Sequence, residues 1–283
     1  MRRHGWVGLG VILCAEALLF AGHPLVGRWF TPIVWTGYVL FVDALVARLT
    51  GRSYLTTHRV DGVLVALTSI VCWWLFEWYN APRFSRGGVD AVGMWWQYHD
   101  MEPNPWLRRV GYDWAFATIF PALFLTAAAF RSLFLGARVS PWRPTPALLN
   151  TSIALGVVAV TLPLLAPSPW LVPLVWTGWV LVLEPINYRR GYRSWLAALA
   201  LGDVSLVLAL LASGLVCGVL WEVWNYWAVT KWTYTVPYLG SVKLFEMPVL
   251  GYLGFPPFAL ECYALWAWLR GRLGQESGAS PVL

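Results

Sequence analysis

The feature that most constrains this chain is its division into apolar runs, each long enough to cross a bilayer. A helix needs about 20 residues to span a hydrocarbon core of ~30 Å. The sequence offers eight such runs, approximately 6–22, 30–49, 60–79, 112–130, 148–166, 170–187, 204–228 and 247–269. Of the 283 residues, 59% are hydrophobic and 12% charged, about half the charged share of a soluble domain. A water-soluble fold would lack polar surface, so the reading is an all-α membrane protein with eight transmembrane helices. The first run, with Arg2 and Arg3 ahead of it, has the look of a signal peptide. The equivalent run at 148–166 and the lack of a small-residue cleavage site before His23 favour a retained span.

Orientation follows from the basic residues. Arg2, Arg3, Arg48, Arg52, Arg59, Arg131, Arg138, Arg143, Arg189, Arg190, Arg193, Arg270 and Arg272, thirteen of the twenty, fall on one side of the expected spans. Basic residues in short loops stay cytoplasmic, so both termini are expected there, in a membrane of the bacterial inner-membrane type. The net charge of +6 then reports topology and contact with anionic membrane lipid, not nucleic-acid binding. Cys14, Cys72, Cys217 and Cys262 lie inside expected spans, where cysteine is a small apolar filler. The four histidines are scattered, with no metal-ligand spacing, and no cofactor motif is visible.

The chain also matches itself. Pro32-Ile33-Val34-Trp35-Thr36-Gly37 aligns with Pro173-Leu174-Val175-Trp176-Thr177-Gly178 at an offset of 141 residues, and the same offset pairs Asp43 with Glu184, Ser53 with Ser194 and Leu55 with Leu196. At an offset of 145, Cys72, Glu77 and Asn80 meet Cys217, Glu222 and Asn225; further on, Trp96-Gln97-Tyr98 resembles Trp232-Thr233-Tyr234. The organisation expected is two tandem four-helix repeats, 1–140 and 141–272, followed by a flexible tail at 273–283. An even number of spans gives both repeats the same orientation, and a site is expected where they meet.

Ionisable residues inside a span are functional candidates by default. Glu77 and Glu222 each precede an asparagine by three residues, so Asn80 and Asn225 share a helix face with them. Aromatic residues crowd both acids, among them Trp73 and Trp74 in one half and Trp221, Trp224 and Tyr226 in the other. A carboxylate walled by rings loses hydration, which suits it to donating a proton. The competing reading is that the acids are interfacial and solvated, with the asparagines capping helix ends. Glu261 is a third candidate, because it follows Gly251, Gly254, Pro256 and Pro257, a stretch expected to break the eighth helix beside a cavity. Asp43 and Glu184 read as interfacial ion pairs with Arg48, Arg189 and Arg190. The segments 80–111 and 229–246 read as aromatic caps lying at headgroup level.

Aromatic walls around a buried acid, here Phe76-Glu77 and Leu220-Trp221-Glu222, resemble the integral-membrane lycopene cyclases and the fungal-type membrane terpene cyclases. The resemblance implies an acid that protonates an alkene, with ring faces stabilising the cation. The Pro-x-Glu-Glu pattern of the lycopene cyclases is not present. Trp29, Pro32 and Val34-Trp35-Thr36, with Trp170, Pro173 and Val175-Trp176-Thr177, resemble the tryptophan-rich sensory proteins, and that resemblance implies porphyrin or sterol binding. Together these lead to an intramembrane aromatic pocket for a lipophilic, isoprenoid-like substrate. Glu77, Glu222 and Glu261 are its candidate catalytic acids; Asn80, Asn225, Trp73, Trp74, Trp221, Trp224 and Tyr226 are its candidate binding residues. Acid-catalysed cyclisation or hydration stands beside lipid, sterol or porphyrin binding or transport without catalysis, and an assembly subunit whose acids only fix helix register is the third reading.

Overall fold

The computed structural model describes residues 2–81, 93–274 and 282–283. The chain is mostly helical. Among the described residues, seven helical stretches are long and apolar enough to cross a membrane: Arg3–Phe20, Pro24–Thr50, Arg59–Asn80, Pro105–Leu133, Pro146–Leu165, Pro169–Arg190 and Ser205–Trp227. They contain helices α1 (Arg3–Phe20), α2 (Pro24–Thr50), α3 (Arg59–Asn80), α4 (Pro105–Ala117), α5 (Ile119–Leu133), α6 (Pro146–Leu165), α7 (Val172–Arg190) and α9 (Ser205–Trp227), with the short α8 (Trp195–Ala200) before α9. Apolar side chains such as Val7, Leu13, Val157, Val158 and Leu165 point outward from α1 and α6, as lipid-facing surfaces require.

Close packing of α1 on α2 depends on glycine. A Cβ on Gly8 would lie 2.5 Å from the Gly37 carbonyl oxygen, and one on Gly156 of α6 would lie 2.9 Å from that of Gly178 in α7. Small residues let membrane helices approach backbone to backbone. Proline shapes the other ends of α2 and α7. Pro32 sits inside α2, three residues after the non-helical Trp29 (φ −105°, ψ 17°), whereas Pro173 stands at the start of α7, behind a 3-10 turn at Pro169–Leu171. A proline ring clashes with the carbonyl four residues back and removes one helical bond, so the same residue bends one helix and starts the other.

The last helix, α10 (Phe255–Arg272), is not among the seven apolar stretches. The interruption of the 247–269 span expected from Gly251, Gly254, Pro256 and Pro257 is present, at the start of α10. Gly251 and Gly254 belong to a separate 3-10 segment, Val249–Gly254, and Pro256 and Pro257 occupy the first turn of α10, where the missing N–H has no helical partner to lose. Most of α10 is buried against α7 and α9.

Four short strands modify the all-helical expectation: β1 (Trp96–His99) pairs antiparallel with β2 (Lys231–Tyr234), and β3 (Lys243–Leu244) with β4 (Met247–Pro248). Residues 82–92 of the first aromatic segment expected at headgroup level lie outside the described residues; in the rest, rings of the two strands turn inward. Trp95 and Trp96 are buried, while Trp106 alone of that group is largely exposed. Pairing is favoured there because a strand backbone needs a partner once its rings are inside.

Polar contacts hold the opposite end of the bundle. Asp43 accepts from the Ser53 hydroxyl (2.8 Å) and the Leu55 N–H (3.1 Å) and meets His4 Nε2 at 3.0 Å. Glu184 accepts from the Ser194 hydroxyl (2.6 Å) and the Leu196 N–H (2.9 Å). Both acids therefore fix the turn that follows their helix, in place of the expected pairs with Arg48, Arg189 and Arg190. Arg189 instead reaches the Pro146 carbonyl and the Asn150 side chain, and Arg270 pairs with Asp61. Of the tail expected at 273–283, residues 275–281 lie outside the described residues, and Val282 and Leu283 are buried.

Removing the Asp43 carboxylate strands the Ser53 hydroxyl and the Leu55 N–H. Asp43→Ala is expected to lower stability by roughly 2–4 kcal/mol, read as thermal unfolding in detergent, while Arg48→Ala changes it by less than about 0.5 kcal/mol.

Candidate functional site

The last turn of α3 carries the first half of the site. Positions four apart on a helix are neighbours, so Trp73 Nε1 reaches back to donate to Glu77 Oε1 at 3.0 Å. Two donors from β1 meet the same oxygen, Trp96 Nε1 at 3.1 Å and the Tyr98 hydroxyl at 2.5 Å. Asn80, three residues beyond Glu77, grips the backbone of that strand. Its Oδ1 accepts from the N–H groups of Trp95 (2.9 Å) and Trp96 (3.2 Å), and its Nδ2 donates to the Trp96 carbonyl (2.9 Å).

At the end of α9 the same residue types make the same bonds. Asn225 Oδ1 accepts from the Trp232 N–H (2.9 Å) and Nδ2 donates to the Trp232 carbonyl (2.8 Å). The Tyr234 hydroxyl donates to Glu222 Oε1 at 2.7 Å and accepts from Trp232 Nε1 at 2.7 Å. The two glutamates nevertheless differ. In place of Trp73 one turn earlier, α9 has Gly218, and the Phe255 ring lies 2.2 Å from where a Cβ would stand. Glu222 Oε2 is buried with no hydrogen-bond partner among the described residues.

The ribbon ties these sites together. Trp96 lies opposite Tyr234 and Tyr98 opposite Trp232, and residues two apart on a strand share a face. All four rings line a single cavity of about 480 Å³. Eight of its lining residues are tryptophans, Trp35, Trp73, Trp176 and Trp221 among them. Trp35 packs on Trp221 at 5.2 Å between ring centres, and Trp176 on Trp96 at 5.9 Å. Glu77 and Glu222 do not line the cavity; Tyr98 and Tyr234 do, with their hydroxyls held on the acids. Burial, then the neighbouring Glu77, pushes the Tyr98 phenol well above its ordinary value, and burial with Glu222 does the same to Tyr234. Both phenols stay protonated and donate.

The other candidates scatter. Trp74 donates to Asp113 (2.6 Å) beneath the Arg109 guanidinium, and Trp224 donates to Glu16 (2.9 Å); neither lines the cavity. Tyr226 is exposed, beside Lys231 and Phe245. Glu261 is buried between α10 and α7, where it accepts from the Trp179 N–H at 2.8 Å, away from the ribbon. Tyr98, Tyr234, Trp35, Trp176 and Phe258 line the cavity but were not among the candidate site residues, although all but Phe258 lie in the repeated sequence motifs. The Trp-x-Tyr signature at 96–98 and 232–234 was the available signal for the tyrosines. Among the described residues no group of three His, Cys, Asp or Glu side chains is placed to hold a metal ion.

No protein-family model matches this sequence, and neither a curated protein nor a solved structure is significantly similar to it.

Because Tyr98 and Tyr234 resist ionisation, alkaline titration followed by tyrosinate absorbance should leave both protonated in the folded protein at about pH 11, above the ordinary value near 10. Unfolded chains ionise these residues at that pH, so stability falls as pH rises through it. Tyr98→Phe should remove one late-titrating group.

Proposed function

We propose that this is an integral membrane protein whose aromatic chamber accepts a lipophilic, isoprenoid-like molecule. The observation that carries the reading is the chamber itself, walled by eight tryptophans and roofed by two tyrosines whose hydroxyls rest on buried glutamates. Its volume falls within the roughly 300–1,000 Å³ of small-molecule sites, which are mostly apolar with a few placed polar groups. In this reading α10 is the eighth span. Two of its charged side chains are covered by protein, Glu261 on α7 and Arg270 on Asp61, and the exposed Arg272 is its last residue, so it needs less apolar character than a lipid-facing helix.

The paired bonds of Asn80 with Asn225, Tyr98–Glu77 with Tyr234–Glu222, and Asp43 with Glu184 support two four-helix repeats of the same orientation, related by a pseudo-twofold axis that runs through the ribbon near Gln97 and Thr233. The arginine-rich end, which holds both termini, is cytoplasmic, and the chamber opens in the outer leaflet. Single cysteines at positions 56, 140 and 192, in a background without the native four, should resist a membrane-impermeant thiol reagent in intact cells, and one at 240 should react. The reverse pattern inverts the topology.

Two activities suit the chamber. In the first, a protonated Glu222 donates to the Tyr234 oxygen with their hydrogen bond reversed while the phenol gives its own proton to an alkene carbon; ring faces stabilise the carbocation, and ring closure or water addition, with a proton returned to the Tyr234–Glu222 pair, completes the step. The position of Tyr234, on Glu222 and in the chamber wall at once, favours it. In the second, the chamber only binds or carries its ligand, which the absence of both acids from the chamber wall favours. Lipid extracted from the purified protein and identified by mass spectrometry should contain one enriched isoprenoid; ordinary phospholipid alone sinks the reading. Glu222→Gln keeps shape while removing ionisation. An enzyme should lose about 10²-fold or more in turnover with ligand occupancy retained, whereas a binding protein should convert nothing before or after the substitution and keep its ligand.

A further inference from the structure

Three tryptophans of the chamber wall, Trp73 of α3, Trp96 of β1 and Trp176 of α7, stand together. Their ring centres make a nearly equilateral triangle, with 6.4 Å between Trp73 and Trp96, 6.2 Å between Trp73 and Trp176 and 5.9 Å between Trp96 and Trp176. The planes are inclined to one another by 40°, 44° and 37°, as the sides of a shallow cup are. Aromatic rings that merely pack prefer stacked or edge-to-face contacts. Phe76 and Phe258 meet Trp176 in those ways, at 27° and 90°, and the three indoles do not.

Behind the cup stands a carboxylate. Glu77 Oε1 accepts from Trp73 Nε1, Trp96 Nε1 and the Tyr98 hydroxyl, all three rings lining the chamber that Glu77 itself does not reach. Hydrogen-bonded groups polarise one another, so each N–H or O–H drawn toward the acid leaves its ring richer in electrons. The other half has no such cluster, because Gly218 replaces Trp73 and Trp232 Nε1 is spent on the Tyr234 hydroxyl. Of the cations in the wall, Arg28 lies on Glu102 at 3.0 Å, Lys231 on Glu246 at 2.7 Å, and Arg108 donates to the Glu102 carbonyl. A cation over an aromatic face is attracted by the ring's negative face, most strongly over tryptophan and where water is excluded. Given the chamber as a lipophile site, we propose that Trp73, Trp96 and Trp176 hold a soft organic cation on a hydrocarbon skeleton, with Glu77 as its counter-charge behind the rings. A quaternary nitrogen and a tertiary carbocation share the chemistry required, a single charge clothed in C–H groups. The first arrives with the ligand, and the second forms from a neutral substrate in turnover.

Two rod-shaped diphenylhexatrienes test this, one with a trimethylammonium group on a terminal ring and one with a tert-butyl group there. They differ by nitrogen for carbon, and both accept excitation energy from tryptophan. Saturable energy transfer is read on purified protein in neutral detergent, with each probe referred to its own partition into protein-free micelles. The cation should bind about tenfold more tightly than its isostere. Trp176→Leu removes one side of the cup and none of the donors to Glu77, and Glu77→Gln keeps shape without charge; each should cut that ratio to about threefold or less. Asp113 also accepts an indole N–H, from Trp74, but outside the chamber, so Asp113→Asn should leave the ratio unchanged. Thermal unfolding certifies each variant, and if Glu77→Gln fails to fold, Trp176→Leu decides. A ratio near one in the parent protein, or one untouched by Trp176→Leu, overturns the cation subsite and leaves the chamber reading standing. A fall with Asp113→Asn equal to that with Glu77→Gln makes the preference one of overall charge and overturns the subsite too. No saturable binding of either probe removes the chamber reading as well. With the ratio as expected, an enriched isoprenoid that itself carries a quaternary nitrogen assigns the cation to the ligand, and a neutral isoprenoid assigns it to turnover.

Discussion

A carboxylate inside a membrane-spanning bundle has no water to satisfy it, and this fold answers with donors from the segment that follows. Asp43 and Glu184 each take a serine hydroxyl and a backbone N–H from the turn beyond their helix. Glu77 takes two indole N–H groups and a phenol, and Glu222 takes a phenol. An acceptor of this kind is costly to bury unless hydrogen-bonded, and the same cost makes each acid a fixed anchor for its loop. Chain reversals at both ends of the bundle are thereby held by side chains that would otherwise be liabilities.

The chamber is a consequence of those anchors. Asn80 and Asn225 hold the two strands by their backbones, and strand register then turns Trp96, Tyr98, Trp232 and Tyr234 to one side. Gly218 leaves room for Phe255, and the bent start of α2 and the proline start of α7 bring Trp35 and Trp176 to the wall. A tryptophan-lined space of this size persists because its roof is tied down on both sides. The glutamates sit behind the tyrosines, so any chemistry they perform passes through a phenol.

Much of this arrangement was legible in residue order. Spacing of apolar runs marked the helices, and self-comparison paired Asp43 with Glu184, Glu77 with Glu222 and Asn80 with Asn225, pairs that make matching bonds. Those signals are local, or repeat at a fixed interval, and survive without knowledge of packing. That the aromatic segments pair as strands was not legible, because interfacial tryptophan and strand tryptophan have the same composition. Tyr226 and Trp74 were grouped with the acids by proximity in sequence, yet they point to other faces of their helices, one to solvent and one to Asp113.

By itself the sequence determined that this chain is helical and apolar enough for a membrane, and which polar residues recur in its two halves, because hydrocarbon thickness and helical periodicity act on short stretches. Only the tertiary structure decided that β1 pairs with β2, that two phenols stand between the glutamates and the chamber, that Glu261 serves the α7–α10 contact, and that Arg28 and Arg108 both meet Glu102. Each of these joins residues far apart in the chain, and such contacts depend on how helices pack and strands register, which no local pattern encodes.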